Sequence, residues 1–129
     1  MDNINIASLY IGLNILIVLF LAINVIRHRR GKGIGLGDGG DPEMLRAIRT
    51  HGNATEYVPA ALIGLVLLSM SAQPGWVIHV GGALLTIGRV LHASGLIKSS
   101  GVSKGRLIGT SCTLVSLLWI GVFCLLNAI

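Results

Sequence analysis

The sequence consists of four long apolar segments joined by short polar connections. The segments cover about residues 4–26, 43–72, 76–97 and 106–128, and the second begins with amphipathic turns that become apolar from Tyr57 onward. A membrane-spanning helix needs about 20 predominantly apolar residues, and each segment reaches that length once its flanking turns are included. The pattern predicts an all-α integral membrane protein in which residues 1–129 form one domain, a bundle of four membrane-spanning helices.

Local signals define the start of the second helix and the connection before it. Asp41 can cap the helix, Pro42 suits its first position, and Glu43 lies near the positive end of its dipole. The preceding residues, 31–40, are rich in glycine and contain Gly-x-Gly-x-x-Gly, as dinucleotide-binding loops do. Those loops require a strand before them and a parallel sheet around them. Because an apolar helix precedes this stretch, we reject a nucleotide site and expect a flexible or irregular connection.

Two pairs of small residues, one of glycines and one of cysteines, lie at the start of the last segment or within it, and we interpret both through helix packing. Gly105 and Gly109 have the Gly-x-x-x-Gly spacing that indicates close contact with a neighbouring helix. Cys112 and Cys124 are separated by about 18 Å along one helix, so they cannot form a disulfide with each other. We therefore interpret all four as packing residues.

Composition and charge support a membrane location and predict a topology. The chain is 53% hydrophobic and 12% charged, with a mean hydropathy of +0.80, whereas about a quarter of the residues in a soluble domain are charged. The basic residues occur in and around two connections, which the positive-inside rule places in the cytoplasm, with both termini on the opposite side. They are Arg27, Arg29, Arg30, Lys32, Arg46 and Arg49 between the first two spans, and Arg89, Lys98, Lys104 and Arg106 around the connection of the last two.

The first segment is expected to remain in the mature protein. It begins with Asp2 and no basic residue, it is longer than a signal-peptide core, and no small-residue cleavage site follows it. The short chain without targeting signals is typical of a bacterial inner membrane protein. Its net charge of +5 reflects topology and contact with anionic membrane lipids, and nucleic acid is not expected as a partner because no basic patch is interleaved with aromatic residues.

A set of polar residues lies where the second helix enters the membrane. With Arg46 set at zero and about 100° per residue, Arg49 lies near −60°, Asn53 near −20°, Glu56 near −80° and Tyr57 near +20°. These residues share one arc of the helix, and His51 points nearly the opposite way. On the third helix Arg89 and His92, three residues apart, share a face.

Two interpretations account for these charges. One is a structural ion pair of Glu56 with Arg89 or Arg49. The other starts from the surplus of arginines at this depth, since buried positive charge without a protein partner calls for an anionic ligand. Arginine binds carboxylates through two parallel hydrogen bonds, so the excess of arginines indicates a small ligand with at least two carboxylates. Glu56 could accept a hydrogen bond from an amine of the same ligand. The arginines are Arg27, Arg46, Arg49, Arg89 and Arg106.

The stretches "EMLRAIRTHGNATEYVP" and "GRVLHASG" resemble the membrane-associated proteins in eicosanoid and glutathione metabolism, the MAPEG family. The resemblance implies a homotrimer that binds glutathione as co-substrate at subunit interfaces on the cytoplasmic side. It assigns the glutathione pocket to one set of residues and implies that His51 serves the neighbouring subunit. The set is Arg46, Arg49, His51, Asn53, Glu56, Tyr57, Arg89 and His92, with Arg27 and Arg106 as further residues of the pocket.

The expected chemistry is activation of the glutathione thiol. Only the thiolate attacks well, and a guanidinium group beside the sulfur stabilises it in a low-dielectric pocket. Arg27 and Arg106 are the catalytic candidates, since both lie at helix ends. The thiolate would attack a hydrophobic electrophile or a hydroperoxide. No metal is expected, because the four histidines have no ligand-like spacing.

Two other functions are compatible with parts of the pattern. The first is a membrane protein that binds glutathione or lipid without catalysis. The second is a small multidrug transporter, which has a similar length and also four spans but relies on an acidic residue within its first helix. Here that helix offers only Asn14 and Asn24, so we rank the transporter last.

Overall fold

The computed structural model describes residues 2–98 and 103–129, and every regular element in these ranges is a helix. The helices are α1 (Asn3–Lys32), α2 (Pro42–Ser69), α3 (Gly75–Lys98) and α4 (Lys104–Asn127). The predicted all-α fold is therefore confirmed. Helix α1 continues six residues beyond the predicted apolar span, so the basic stretch after Ile26 is helical and not part of the connection.

Three of the helices have the length and the apolar composition of a membrane span. These are α1, residues Gly75–Gly95 of α3, and α4. Helix α2 is not among them, because its amino-terminal half carries the polar residues described above. That α2 also crosses the membrane stays a prediction. Large apolar side chains cover the outside of the bundle, as expected of a protein whose surface faces lipid.

The two middle helices form the centre of the bundle. Helix α1 packs against α2 and α3, and α4 packs against the same two helices. Within the described residues α1 and α4 do not contact each other. The main core joins all four helices and consists of Ile6, Ala7, Ala61, Leu65, Leu68, Val77, Ile78, Leu85 and Ile120.

Glycines allow α3 and α4 to pack backbone against backbone. A Cβ added to Gly109 would lie 2.7 Å from the carbonyl oxygen of Gly88 and even closer to the backbone nitrogen of His92. A Cβ on Gly95 would lie 2.7 Å from the backbone nitrogen of Arg106. The close contact predicted from the glycine spacing of α4 is confirmed, and it brings the first turn of α4 against the part of α3 that carries Arg89 and His92.

Polar contacts join the two ends of the connection between α1 and α2. Lys32 Nζ donates to Asp41 Oδ2 at 2.6 Å and to Glu43 Oε2 at 2.7 Å. Asp41 also caps α2 as predicted, since its Oδ1 accepts from the backbone nitrogen of Met44 at 2.8 Å. These bonds hold the pKa of the Asp41 carboxyl below its usual range, Lys32 being the larger cause. The start of α2 is thus fastened to the end of α1.

Candidate functional site

The outer part of the predicted polar arc lies on the surface of this chain. Arg49 Nη1 and Glu56 Oε1 are 3.9 Å apart, and their side chains are 60% and 54% exposed. The arrangement is one of the two ion pairs that the sequence left open. A pair this exposed contributes about 0–1 kcal/mol, so both side chains remain available to a ligand.

The inner part of the arc meets Arg89, which is buried. The Arg89 side chain is 2% exposed, and its Nη1 donates to Asn53 Oδ1 at 2.8 Å and to the Asn53 carbonyl oxygen at 3.3 Å. No carboxylate of the described residues lies within ion-pair distance of it. The pairing of Arg89 with Glu56, the other possibility left open, is therefore not formed, and a neutral amide of α2 holds the guanidinium instead.

Arg89 retains unused hydrogen-bonding capacity. Its Nε and Nη2 are buried and have no hydrogen-bond partner in the described part of the chain. Buried polar groups in proteins are nearly always hydrogen-bonded, and an exception calls for an explanation such as an absent ligand or ion. The unpaired donors carry a positive charge, so the group that would satisfy them best is an anion.

Three further predicted residues lie around Arg89. Tyr57 is half-buried one turn after Asn53, on the same side of α2. His92 is buried one turn further along α3, and the backbone of Arg106 lies against the next turn of α3 at Gly95. The structure thus brings together Asn53, Tyr57, Arg89, His92 and Arg106, which we call the Arg89 cluster.

Two other predicted arginines lie in a different place, between α1 and α2. Arg27 lines a cavity of about 400 Å³ and Arg46 lines one of about 220 Å³, and the two cavities share Asn24, His28 and Glu43. The sequence analysis missed these three residues as members of a site. Helix spacing could have indicated one of them, because Asn24 lies three positions before Arg27 and shares its side of α1. Asn24 also lies four positions before His28, which extends the same side.

His51 belongs to neither group within this chain. It is half-buried on α2 and lies about 160° around the helix from Asn53. The other predicted residues are distributed over three places: the buried Arg89 cluster, the cavities between α1 and α2, and the exposed face that carries Arg49 and Glu56. That they form one glutathione pocket stays a prediction.

Comparison with known proteins places this arrangement in a family. The sequence model of the MAPEG family matches residues 7–126, which is nearly the whole chain. The chain is also 36% identical over 90 residues to the inner membrane protein YecN of Escherichia coli K12, a match that covers 70% of this chain and 69% of that protein. YecN of Escherichia coli O6:H1 CFT073 matches to the same extent. From these matches and the four-helix membrane fold we conclude that the chain belongs to the MAPEG family, the membrane-associated proteins in eicosanoid and glutathione metabolism.

Proposed function

We propose that this protein is a glutathione-dependent membrane transferase or peroxidase acting on a lipophilic electrophile or hydroperoxide. The observation that carries the proposal is the buried guanidinium of Arg89, which has two nitrogens without a partner among the described residues. In a low-dielectric setting such a group requires an acceptor, and a carboxylate satisfies it best. Family membership supports glutathione as the source of that carboxylate.

The residues around Arg89 suit the remaining groups of the tripeptide. Asn53 and Tyr57 offer neutral hydrogen bonds, and Arg49 offers a guanidinium to a second carboxylate. Glu56 is the acceptor for the amine. Because the Arg49–Glu56 pair is exposed and long at 3.9 Å, glutathione can exchange it for two better contacts at little cost.

The thiol requires a nearby positive charge. Arg106 is part of the Arg89 cluster, while Arg27 lies beside the cavity between α1 and α2. Either guanidinium would stabilise the thiolate. The sulfur then attacks the electrophilic carbon, and the leaving group departs with its electron pair. With a hydroperoxide the sulfur takes the terminal oxygen and the O–O bond breaks, and a second glutathione completes the reduction by forming the disulfide.

We also propose that the active form is a homotrimer. The face of α2 that carries Arg49 and Glu56 is open in this chain, and His51 lies on another side of the helix. A neighbouring subunit that covers the open face would enclose the ligand and contribute its own His51. Native mass spectrometry in detergent measures the number of chains, and a protein that is active as a monomer would contradict this part of the proposal.

A turnover assay on detergent-purified protein tests the activity. Glutathione is supplied with an activated aryl chloride or an organic hydroperoxide, and product formation is followed. We expect turnover in the wild-type protein and in Lys104→Ala, which removes an exposed positive charge outside the site. Arg49→Ala should lose at least about tenfold in kcat/KM, since a charged hydrogen bond contributes about 1.5–3 kcal/mol. Equal activity of Arg49→Ala and Lys104→Ala would refute the site assignment.

A second variant tests the role of Arg89 without deleting it. Asn53→Asp places a carboxylate where the amide oxygen now lies, 2.8 Å from Arg89 Nη1. The new carboxylate neutralises the guanidinium and competes with an anionic ligand. We expect unchanged or increased thermal stability together with loss of stabilisation by glutathione. If Asn53→Asp binds glutathione as the wild-type protein does, Arg89 is not part of the pocket.

The location of the protein follows the same line of inference. We propose an inner membrane protein with the glutathione site on the cytoplasmic side and both termini outside the cytoplasm. The distribution of basic residues supports this orientation, and the relative YecN is named an inner membrane protein.

Thermal stabilisation by glutathione without turnover, over a panel of electrophiles, would favour a binding protein without catalysis over the enzyme.

A further inference from the structure

The carboxyl end of α1 has a basic surface that the proposed function does not use. A cavity of about 390 Å³ is lined there by Ile26, Arg29, Arg30, Gly33, Ile34 and Gly35, which we call the outer cradle. Its α1 residues, at positions 26, 29 and 30, lie within about 100° of one another around the helix, and Gly33 is the cap that follows. Arg27 and His28 lie on the other side and line the cavities toward α2. We propose that the outer cradle binds the headgroup of one anionic phospholipid.

The charges at the outer cradle are suited to a phosphate. No acidic residue lines the cavity, and the nearby Lys32 is already paired with Asp41 and Glu43. Arg29 and Arg30 have no carboxylate within ion-pair distance among the described residues. Two arginines that line one cavity without an acidic residue match a phosphate diester, because arginine binds phosphate through parallel hydrogen bonds.

The backbone of the connection fixes one of these two arginines. Arg29 Nη1 donates to the carbonyl oxygen of Gly37 at 3.0 Å and approaches that of Ile34 at 3.5 Å. Gly33 ends α1 in the left-handed region with φ 66°, which turns Ile34 back over the last turn of the helix. The guanidinium of Arg29 is therefore held at the rim of the cradle before any ligand binds, and less side-chain entropy is lost on binding.

Apolar side chains continue from the cradle on both sides. Ile15, Leu19 and Ile26 lie on the same side of α1 and are about half-exposed, so they form a track for an acyl chain. In the connection, Leu36 is 91% exposed. A leucine so exposed is unfavourable in water and favourable at the boundary of headgroups and acyl chains. Positive charge next to an apolar track fits a phospholipid better than free phosphate.

Native mass spectrometry of the full chain in a neutral detergent tests the proposal. Delipidated protein is titrated with phosphatidylglycerol or with phosphatidylcholine of the same acyl chains. We expect one phosphatidylglycerol to bind in preference. Arg30→Gln should weaken that binding about fivefold, the usual effect of one basic residue at a membrane surface. Leu36→Ser should also weaken it, whereas Lys104→Gln, which removes an exposed charge elsewhere, should not. Circular dichroism establishes that each variant folds.

Each alternative gives a different result. Equal binding of both lipids, or equal losses in Arg30→Gln and Lys104→Gln, would overturn the proposal by showing that no defined headgroup site exists. Binding of inorganic phosphate alone with the affinity of phosphatidylglycerol would show a site for a free anion. A change in the number of chains per complex in Arg30→Gln would show that the outer cradle is an interface between copies of the chain.

Discussion

Replacing Gly109 by alanine should separate α3 from α4 and disturb the Arg89 cluster. The added Cβ would lie 2.7 Å from the carbonyl oxygen of Gly88 and 2.8 Å from the Cα of His92, and its nearest neighbour is the backbone nitrogen of His92. All of these atoms belong to the backbone of α3, so no side chain can rotate away. Ordinary contacts begin at about 3.5 Å, and the contact with the His92 nitrogen is the shortest, so the helices have to move apart by about 1 Å at this point.

The expected loss of stability can be separated from the effect of alanine on helix formation. Overpacking of a tight contact costs about 1–3 kcal/mol, while alanine improves helix propensity over glycine by about 1 kcal/mol. Gly121 lies on the same helix, and a Cβ there would meet nothing within 4 Å. Gly121→Ala therefore gains the propensity without the clash. The difference in unfolding free energy between the two variants isolates the steric term, and we expect Gly109→Ala to be less stable by about 1–3 kcal/mol.

Reversible unfolding in mixed micelles, with increasing denaturing detergent and helicity as the signal, measures this difference. Stabilisation by glutathione provides a second readout, because a shift of α3 against α4 moves His92 relative to Arg106. We expect this stabilisation to be reduced in Gly109→Ala and retained in Gly121→Ala. If the two variants unfold at the same detergent fraction, the backbone contact of α3 and α4 does not determine the stability of the bundle.

Two further predictions concern polar contacts outside the core. A double-mutant cycle on Arg49 and Glu56, read out by unfolding free energy, should give a coupling below about 1 kcal/mol because the pair is exposed; a larger value would show that the pair is structural. The pKa of Asp41 is lowered in the fold by Lys32, so its contribution is present above the ordinary aspartate pKa of about 4 and is lost as the pH falls through the folded value. Limited proteolysis of residues 33–40 should accordingly be faster at pH 3 than at pH 6. Asp41→Asn, which keeps a capping side chain, should reduce the difference between the two pH values, and the remainder belongs to Glu43, whose pKa Lys32 also lowers.

The helices were predictable from sequence because a membrane imposes a simple rule. A chain in lipid has to satisfy its backbone hydrogen bonds internally, which makes long apolar segments helical. The start of α2 was also predictable, since the capping contact of Asp41 is local. The extension of α1 to Lys32 was not, because apolar periodicity carries no information once the residues become basic. The connection is irregular, as one of the two expectations had it. The ion pairs across it were not predicted, because they join residues nine and eleven positions apart.

The polar arc of α2 was predictable from sequence, but the pairing of its residues was not. Helical geometry placed Asn53 and Glu56 on one arc of α2, about 60° apart. Buried α2 residues such as Ala54 and Val58 lie at about +80° and +120° on the same scale, which brings Asn53 to the edge of the packed face and leaves Glu56 outside it. Arg89 on α3 therefore reaches the amide and not the carboxylate. The rotation of α2 relative to α3 determines which of the two groups Arg89 contacts. The residue pattern of a single helix carries no information about that rotation.

The pairing of Arg89 with an amide changes the energetic argument for a ligand. Had Arg89 paired with Glu56, an anion would have had to break a buried ion pair, at a cost of about 3–5 kcal/mol. As the structure stands, Asn53 holds one nitrogen in place and leaves two others without a partner among the described residues. The carboxylate that could have neutralised the site lies outside it in an exposed pair with Arg49. Under the proposed function, an entering dianion would gain contacts to Arg89 without displacing a charge from it, and the Glu56 carboxylate would exchange its exposed pair with Arg49 for the amine of the ligand.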